Sequence, residues 1–268
     1  MNTFDMSVAS APVPSIPRIP VRDRLLLVVC LTAVAALAWA YLARLNSAMS
    51  GDAAMAAMGM NGMVMPWTAT EAFFAFVMWT VMMVGMMTPS AAPVLMVFAS
   101  SNRARRQPAS AVVTFAGGYL IVWTGFSAAA ALGQWGLHEA ALLTPAMAVT
   151  TRGMAAAILT AAGVYQLTPL KSACLAQCRS PLGFLVGHWR DGVAGAFNMG
   201  VRHGVYCFGC CWALMCVLFA VGVMNLLWVA ALTLFVFAEK FGPAGIVLAR
   251  ASGVAMVVYA LLLVSGVA

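Results

Sequence analysis

The chain has 268 residues, of which 64% are hydrophobic and 8% are charged, and it carries a formal net charge of +7. Such a composition cannot cover a water-soluble surface with polar groups, so it excludes a soluble globular protein and indicates an integral membrane protein in a lipid bilayer. The basic residues lie between apolar runs, so we interpret the positive charge as a topology signal and expect no nucleic-acid partner.

Seven apolar runs approach the roughly 20 residues that a helix needs to cross about 30 Å of hydrocarbon. The runs are 25–43, 71–99, 109–132, 151–169, 203–222, 225–239 and 244–266. They lack the alternation of membrane β-strands, so the sequence predicts an all-α, polytopic membrane helix bundle of about seven transmembrane helices. The sixth run is short and follows closely on the fifth, so six spans remain an alternative.

Basic residues collect in every second connection between the runs. They are Arg18, Arg22 and Arg24; Arg103, Arg105 and Arg106; Lys171, Arg179, Arg190 and Arg202; and Lys240. This pattern predicts a multi-pass protein of the bacterial cytoplasmic (inner) membrane, with its N-terminus in the cytoplasm and its C-terminus outside. Residues 1–24 are predicted to be a disordered cytoplasmic tail, and 25–268 a single transmembrane helical domain. We expect the first run to remain in the protein as an uncleaved membrane anchor, although Ala38-Trp39-Ala40 resembles a signal-peptide cleavage site.

Methionines concentrate in the first third of the chain. The predicted external loop at 44–70 contains Met49, Met55, Met58, Met60, Met63 and Met65. Thioethers select Cu(I) over hard cations and cannot form disulfides. This methionine-rich loop is therefore either a flexible low-complexity segment or a collector of a soft metal.

The second run continues the methionine pattern inside the predicted membrane segment. Helical spacing places Met78, Met82 and Met86 on one stripe, and Met83 and Met87 on a neighbouring stripe. Methionines in membrane helices often only fill space. The paired arrangement makes Met82, Met83, Met86 and Met87 candidate metal ligands as well.

Five of the seven cysteines form a cluster near the predicted cytoplasmic face. Cys174 and Cys178 lie in the predicted cytoplasmic connection at 170–202, and Cys207, Cys210 and Cys211 lie at the start of the fifth run. A reducing compartment keeps thiols free, which favours metal binding or redox work over structural disulfides. The other two, Cys30 and Cys216, are expected to pack as small core residues.

On a helix, His203, Cys207, Cys211 and Met215 recur at four-residue steps, with Cys210 beside them. One helix cannot complete a tetrahedral site, so further ligands must come from Cys174, Cys178, His188 or the methionines of the second run. Counting 1.5 Å per residue from opposite faces places the methionine and cysteine clusters at similar depth. The sequence therefore predicts half of a metal site in the fifth run.

Three segments together resemble an uncharacterised bacterial family, a domain of unknown function, of predicted metal-binding integral membrane proteins. They are VMWTVMMVGMMTPSAAP, GVRHGVYCFGCCWALM and NLLWVAALTLFVFAEKFGP. The resemblance extends over about residues 70–266 and implies a multi-span protein that binds metal. It adds Glu239 and Lys240 as motif residues and does not include the loop at 49–65.

The charged residues near the end of the sixth run have a simpler interpretation too. Glu239 and Lys240 are expected to end that helix, with Lys240 reaching toward lipid headgroups. Arg250, a few residues into the seventh run, is a candidate ion-pair partner for Glu239.

The favoured function is Cu(I) binding, with transport or delivery of copper across the membrane through Met and Cys/His ligands. Zinc is the second choice of metal, because it accepts cysteine and histidine but not thioethers. Two redox alternatives stay open: a thiol–disulfide oxidoreductase using Cys207 and Cys210, and an iron–sulfur or other metal-dependent enzyme. No nucleotide-binding or hydrolytic motif is present, so the sequence favours a non-enzymatic role. A soluble protein that donates or accepts the metal is the expected partner, and oligomerisation is left open.

Overall fold

A computed structural model of the protein describes residues 20–57, 67–144 and 147–266, with the backbone alone described over 49–57. The described part is an all-α bundle, as the sequence predicts, and its one β-type contact is the isolated bridge between Leu143 and Val149. The helices are α1 (Val21–Ala57), α2 (Ala69–Ala104), α3 (Ser110–Glu139), α4 (Arg152–Leu167), α5 (Pro169–Arg179), α6 (Pro181–His188), α7 (Gly192–Cys216), α8 (Leu218–Val221), α9 (Leu226–Phe241) and α10 (Gly245–Ser265).

All seven apolar runs are helical, but within the described residues only five segments are long and apolar enough to cross a membrane. They lie in α1, α2, α3, α7 with α8, and α10. Helices α4 and α9 have 16 residues each, about 24 Å at 1.5 Å per residue, which is short of the hydrocarbon thickness. Counting α4 with α5 as one broken span gives six. Seven spans is therefore slightly too many, and the long helices are compatible with a multi-pass membrane protein.

The predicted connections contain more helix than the sequence analysis anticipates. Helix α1 continues to Ala57, so the start of the methionine-rich loop at 44–70 is helical. Alanine, the strongest helix former, recurs through this stretch and accounts for the extension. The loop methionines from 58 to 65, and the predicted tail up to residue 19, lie outside the described residues.

The connection at 170–202 is likewise folded, into α5, α6 and the first turns of α7. Thr168 caps α5 by accepting a hydrogen bond from the Lys171 N–H at 3.3 Å, and Pro169 occupies the first turn, where its missing N–H costs nothing. The residue before a proline avoids the helical region, so α4 ends at Leu167. The chain bends by 65° between the two helices, and this bend turns α5 against α7.

Small residues allow the central helices to approach closely. Gly118 of α3 faces α7, and a Cβ there would lie 2.9 Å from the backbone nitrogen of Val201. Gly200 of α7 faces the Phe115 carbonyl of α3 in the same way. On another side of α7, a Cβ at Gly209 would lie 2.7 Å from the Cys174 sulfur of α5. Glycines at these contacts let the backbones meet, and they fix α7 and its cysteines between α3 and α5.

Helices α1 and α2 run in opposite directions. The Asp23 carboxylate near the start of α1 forms an ion pair with Arg103 near the end of α2. The arginine-rich end of α2 therefore lies beside the start of α1. The other end of α2 begins with a capping box, in which the Thr68 N–H donates to the Glu71 carboxylate at 2.6 Å.

Candidate metal centre

The methionines of α2 meet the cysteines of α7 inside the bundle. Met82, Met83, Met86 and Met87 are all buried, with at most 1% of each side chain exposed. The Met87 Sδ lies 4.0 Å from the Cys211 Sγ. The second and fifth apolar runs thus contact each other at these two clusters.

Cys207 lies at the centre of a polar cluster. The Lys240 ammonium donates to the Cys207 Sγ at 3.0 Å and to the Ser90 hydroxyl at 2.9 Å. The Tyr119 hydroxyl lies 3.2 Å from the same sulfur and donates to the Met87 carbonyl at 3.1 Å. An ammonium beside a buried sulfur is the counter-charge that an anionic sulfur needs in an apolar environment.

Cys210 and Cys211 point toward different neighbours. Cys210 approaches Cys178 of α5, with 3.8 Å between the two sulfurs, whereas Cys211 approaches Met87. Both thiols donate to the Cys207 carbonyl, at 3.1 Å and 2.9 Å. The Cys178 side chain also interacts with that of Cys207. Three helices, α2, α5 and α7, therefore contribute sulfur to one buried cluster.

The sulfur separations are suited to a shared soft metal. Metal–thiolate bonds of about 2.3 Å at tetrahedral or trigonal angles place two sulfurs about 3.8–4.0 Å apart. Both the Cys178–Cys210 and the Met87–Cys211 pairs have this separation. No group of three or more His, Cys, Asp or Glu side chains forms a ready metal site among the described residues. The described residues thus supply sulfur pairs at this separation.

The predicted four-residue stripe on α7 faces inward. His203, Cys207, Cys211 and Met215 are each no more than 3% exposed. The His203 ring packs on Tyr119 and Phe184, and its Nδ1 has no hydrogen-bond partner within the described part of the chain. A buried ring nitrogen without a partner is available as a ligand or proton acceptor.

The remaining candidate ligands, Cys174 and His188, are not shown in contact with the sulfurs of the cluster. Cys174 is half-buried against Gly209. The His188 Nδ1 lies 2.8 Å from the Phe184 carbonyl, and its ring stacks on Phe184.

The prediction that Cys30 is a core residue is wrong, since it is exposed on α1, and Cys216 is half-buried. Helix α1 makes few contacts beyond α2, which leaves most of its surface facing outward.

Glu239 and Lys240 lie in the last turn of α9, as expected, but the predicted extension of Lys240 toward headgroups and the predicted pairing of Glu239 with Arg250 are wrong. Both side chains are buried, and Lys240 points to Cys207 instead of reaching toward headgroups. Glu239 pairs with Lys171 at 2.7 Å, with 1% of each side chain exposed, and Arg250 is exposed. The Gln166 amide donates to the same carboxylate at 2.9 Å. A buried carboxylate requires a buried partner, and the bend after α4 brings Lys171 within reach.

Sequence reasoning missed several residues that contact Cys207, Lys240 or the neighbouring Glu239. The main ones are Ser90, Tyr119, Gln166 and Lys171. A lysine and a glutamate in apolar segments could have indicated a buried polar cluster, because charges at membrane depth face a partner or a cavity. Nothing in the sequence distinguishes Tyr119 from any other tyrosine inside an apolar run.

A model of the protein family described as PpoB2, copper chaperone, matches residues 76–263. The match extends over more than two thirds of the chain and contains every residue of the sulfur cluster. No curated protein and no solved structure matches the chain.

Proposed function

We propose that this chain, which belongs to the PpoB2 family of copper chaperones, binds Cu(I) in the bacterial inner membrane and delivers it to a partner. The observation that carries the proposal is the convergence of four thiols and a thioether in a buried cluster. Thiolate and thioether ligands favour Cu(I), and this set excludes the hard cations. Zinc is the weaker choice, because a thioether lies where a further thiolate or imidazole is expected.

We assign the primary ligands to Cys207 and Cys211, with Met87 as the thioether beside them. The 4.0 Å between the Met87 and Cys211 sulfurs supports this assignment. Cys178 and Cys210 form a second pair, with 3.8 Å between their sulfurs, on the α5 side of the same helix. His203 lies one turn before Cys207, and its buried Nδ1 has no hydrogen-bond partner among the described residues; Met215 lies one turn after Cys211. Two adjacent sulfur pairs allow a chaperone to pass copper from one ligand set to the next by ligand exchange.

The chain contains no nucleotide-binding motif, so delivery depends on relative affinity and on a partner. We propose a soluble copper donor or acceptor as that partner. Exchange between thiolate sites is driven by the difference in copper affinity between the two proteins, and needs no other energy source.

The direct test is copper binding by the purified full-length protein under reducing conditions. Replacing Cys207 and Cys211 with serine is expected to remove about one bound Cu(I), because a hydroxyl is a hard ligand that cannot replace a thiolate. The matched control is the Cys30→Ser/Cys216→Ser variant, which also removes two thiols but leaves the cluster intact. Equal copper content in the two variants would contradict the assignment.

A redox role is a second candidate function, and the approach of the Cys178 and Cys210 sulfurs is the observation that favours it. Two thiols at 3.8 Å are close enough to form a disulfide after a small movement. The copper proposal predicts that Cys178, Cys207 and Cys210 stay reduced in growing cells and that bound Cu(I) protects them from alkylation. Acid trapping followed by differential alkylation measures this. A reversible Cys178–Cys210 or Cys207–Cys210 disulfide in cells would favour the oxidoreductase instead.

A further inference from the structure

Three further methionines converge on a cleft at the opposite end of α2 from its arginines. The cleft has a volume of about 250 Å³ and is lined by Met78, Met147 and Met224, together with Trp67, Glu71 and Gln134. The three methionines come from three places: α2, the connection before α4, and the connection before α9. None of them belongs to the cysteine cluster.

The structure holds the two connection methionines in place by backbone contacts. The Val149 N–H donates to the Phe219 carbonyl at 2.8 Å, which ties the connection before α4 to α8. The Val223 N–H approaches the Met147 carbonyl at 3.5 Å, next to Met224. Met147 has a φ of 56°, in the left-handed region that a side chain with a Cβ rarely adopts.

The chemistry of the cleft is that of a soft monovalent cation site. Thioethers bind Cu(I) without losing a proton and reject hard cations. The Glu71 carboxylate at the edge of the cleft adds a negative charge that attracts cations. Three thioethers bind Cu(I) more weakly than the paired cysteines do. A site that passes copper on must have this lower affinity.

Met78 also begins the line of thioethers that leads to the cysteines. Met82 and Met86 follow at helical spacing, and Met87 ends next to Cys211. Nine residues of helix from Met78 to Met87 correspond to about 14 Å. The arginines at the other end of α2 mark the cytoplasmic side by the positive-inside rule, so the cleft lies on the external side.

We propose that Met78, Met147 and Met224 form an outer Cu(I) site that receives copper for the cysteine cluster. The proposal rests on the proposed function for its direction of flow, but metal binding in the cleft is testable by itself. Ag(I) is the probe, because it is a soft monovalent ion like Cu(I) but is not oxidised by air.

The experiment titrates Ag(I) into the full-length protein in detergent, labelled with ¹³C at the methionine methyl groups. Wild type is expected to bind in a tight and a weaker class, and the methyl resonances of the three cleft methionines are expected to shift with the weaker class. The Met78→Leu/Met147→Leu/Met224→Leu variant should lose the weaker class and keep the tight one. The Met96→Leu/Met154→Leu/Met256→Leu variant, which removes three half-buried methionines outside the cleft, should lose neither.

Unshifted cleft resonances in wild type at saturating Ag(I) would overturn the outer site. Single leucine variants assign these resonances even if the triple variant fails to fold. The Cys207→Ser/Cys211→Ser variant separates the two proposals. If this variant binds Ag(I) as tightly as wild type while the cleft methyl resonances shift, the cysteine site is wrong and the outer site stands. If it loses tight binding and the cleft methyl resonances do not shift, only the outer site is rejected.

Discussion

Replacing Glu239 with glutamine is expected to lower the free energy of unfolding by about 3–5 kcal/mol, because it leaves a buried lysine charge without its partner. The Lys171 ammonium lies 2.7 Å from the Glu239 carboxylate, and 1% of each side chain is exposed. Glutamine keeps the size and one acceptor of the side chain but removes the charge. Thermal or denaturant unfolding of the purified protein in detergent measures the loss.

The matched control is Asp23→Asn, which makes the same chemical change in the exposed pair with Arg103. Those side chains are 40% and 63% exposed, so the control is expected to cost less than about 1 kcal/mol. A second variant, Lys171→Met/Glu239→Leu, removes both charges and should recover most of the loss, because a buried ion pair is replaceable by apolar groups of similar size. If Glu239→Gln and Asp23→Asn cost the same, the buried pair does not determine stability.

Replacing Lys240 with methionine is expected to weaken Cu(I) binding by about 100-fold or more. Removing one member of a buried charged pair costs about 3–5 kcal/mol, and each 1.36 kcal/mol is a factor of ten. The ammonium lies 3.0 Å from the Cys207 sulfur, where it would balance the charge of the proposed bis-thiolate copper complex. Competition for Cu(I) against a chelator of known affinity measures the change.

Ser90→Ala is the control for the lysine variant, since it removes the other hydrogen-bond partner of the Lys240 ammonium. The Ser90 hydroxyl accepts from the ammonium with or without copper, so most of the loss of this charge-assisted hydrogen bond cancels in the binding free energy, and copper binding should weaken by less than tenfold. Unfolding of both variants is measured in parallel to separate binding from stability. Wild-type copper affinity in Lys240→Met would show that the ammonium has no part in holding the metal.

The helices were predictable from the sequence because a segment in hydrocarbon must satisfy its own backbone hydrogen bonds. Each apolar run is therefore helical. The span count was less predictable, because Thr168 and Pro169 lie inside the apparent run at 151–169 and end α4 early. Hydropathy averages over such a break and does not register the 65° bend.

The sulfur cluster was predictable in part. Regular helical spacing placed Cys207 and Cys211 on one face, and counting from the two membrane faces brought Met87 to the same depth. The contribution of Cys178 was an open alternative, because its position depends on how α5 folds back against α7. The same fold-back explains why Lys171, and not Arg250, pairs with Glu239. Sequence patterns report local periodicity, and these contacts join residues 32 to 68 positions apart.

The lysine beside the cysteines has a consequence for the electrical balance of the core. Among the buried side chains that the structure describes, Lys171 and Lys240 are positive and Glu239 is negative, so one anionic sulfur at Cys207 brings the sum to zero. Binding of Cu(I) to Cys207 and Cys211, the proposed ligands, would add one positive charge and release one proton from the second thiol. The copper-loaded and copper-free forms would then carry the same net charge. Under the proposed ligand assignment, copper would therefore enter the core by electroneutral exchange for a proton, without the cost of placing an additional ion in hydrocarbon.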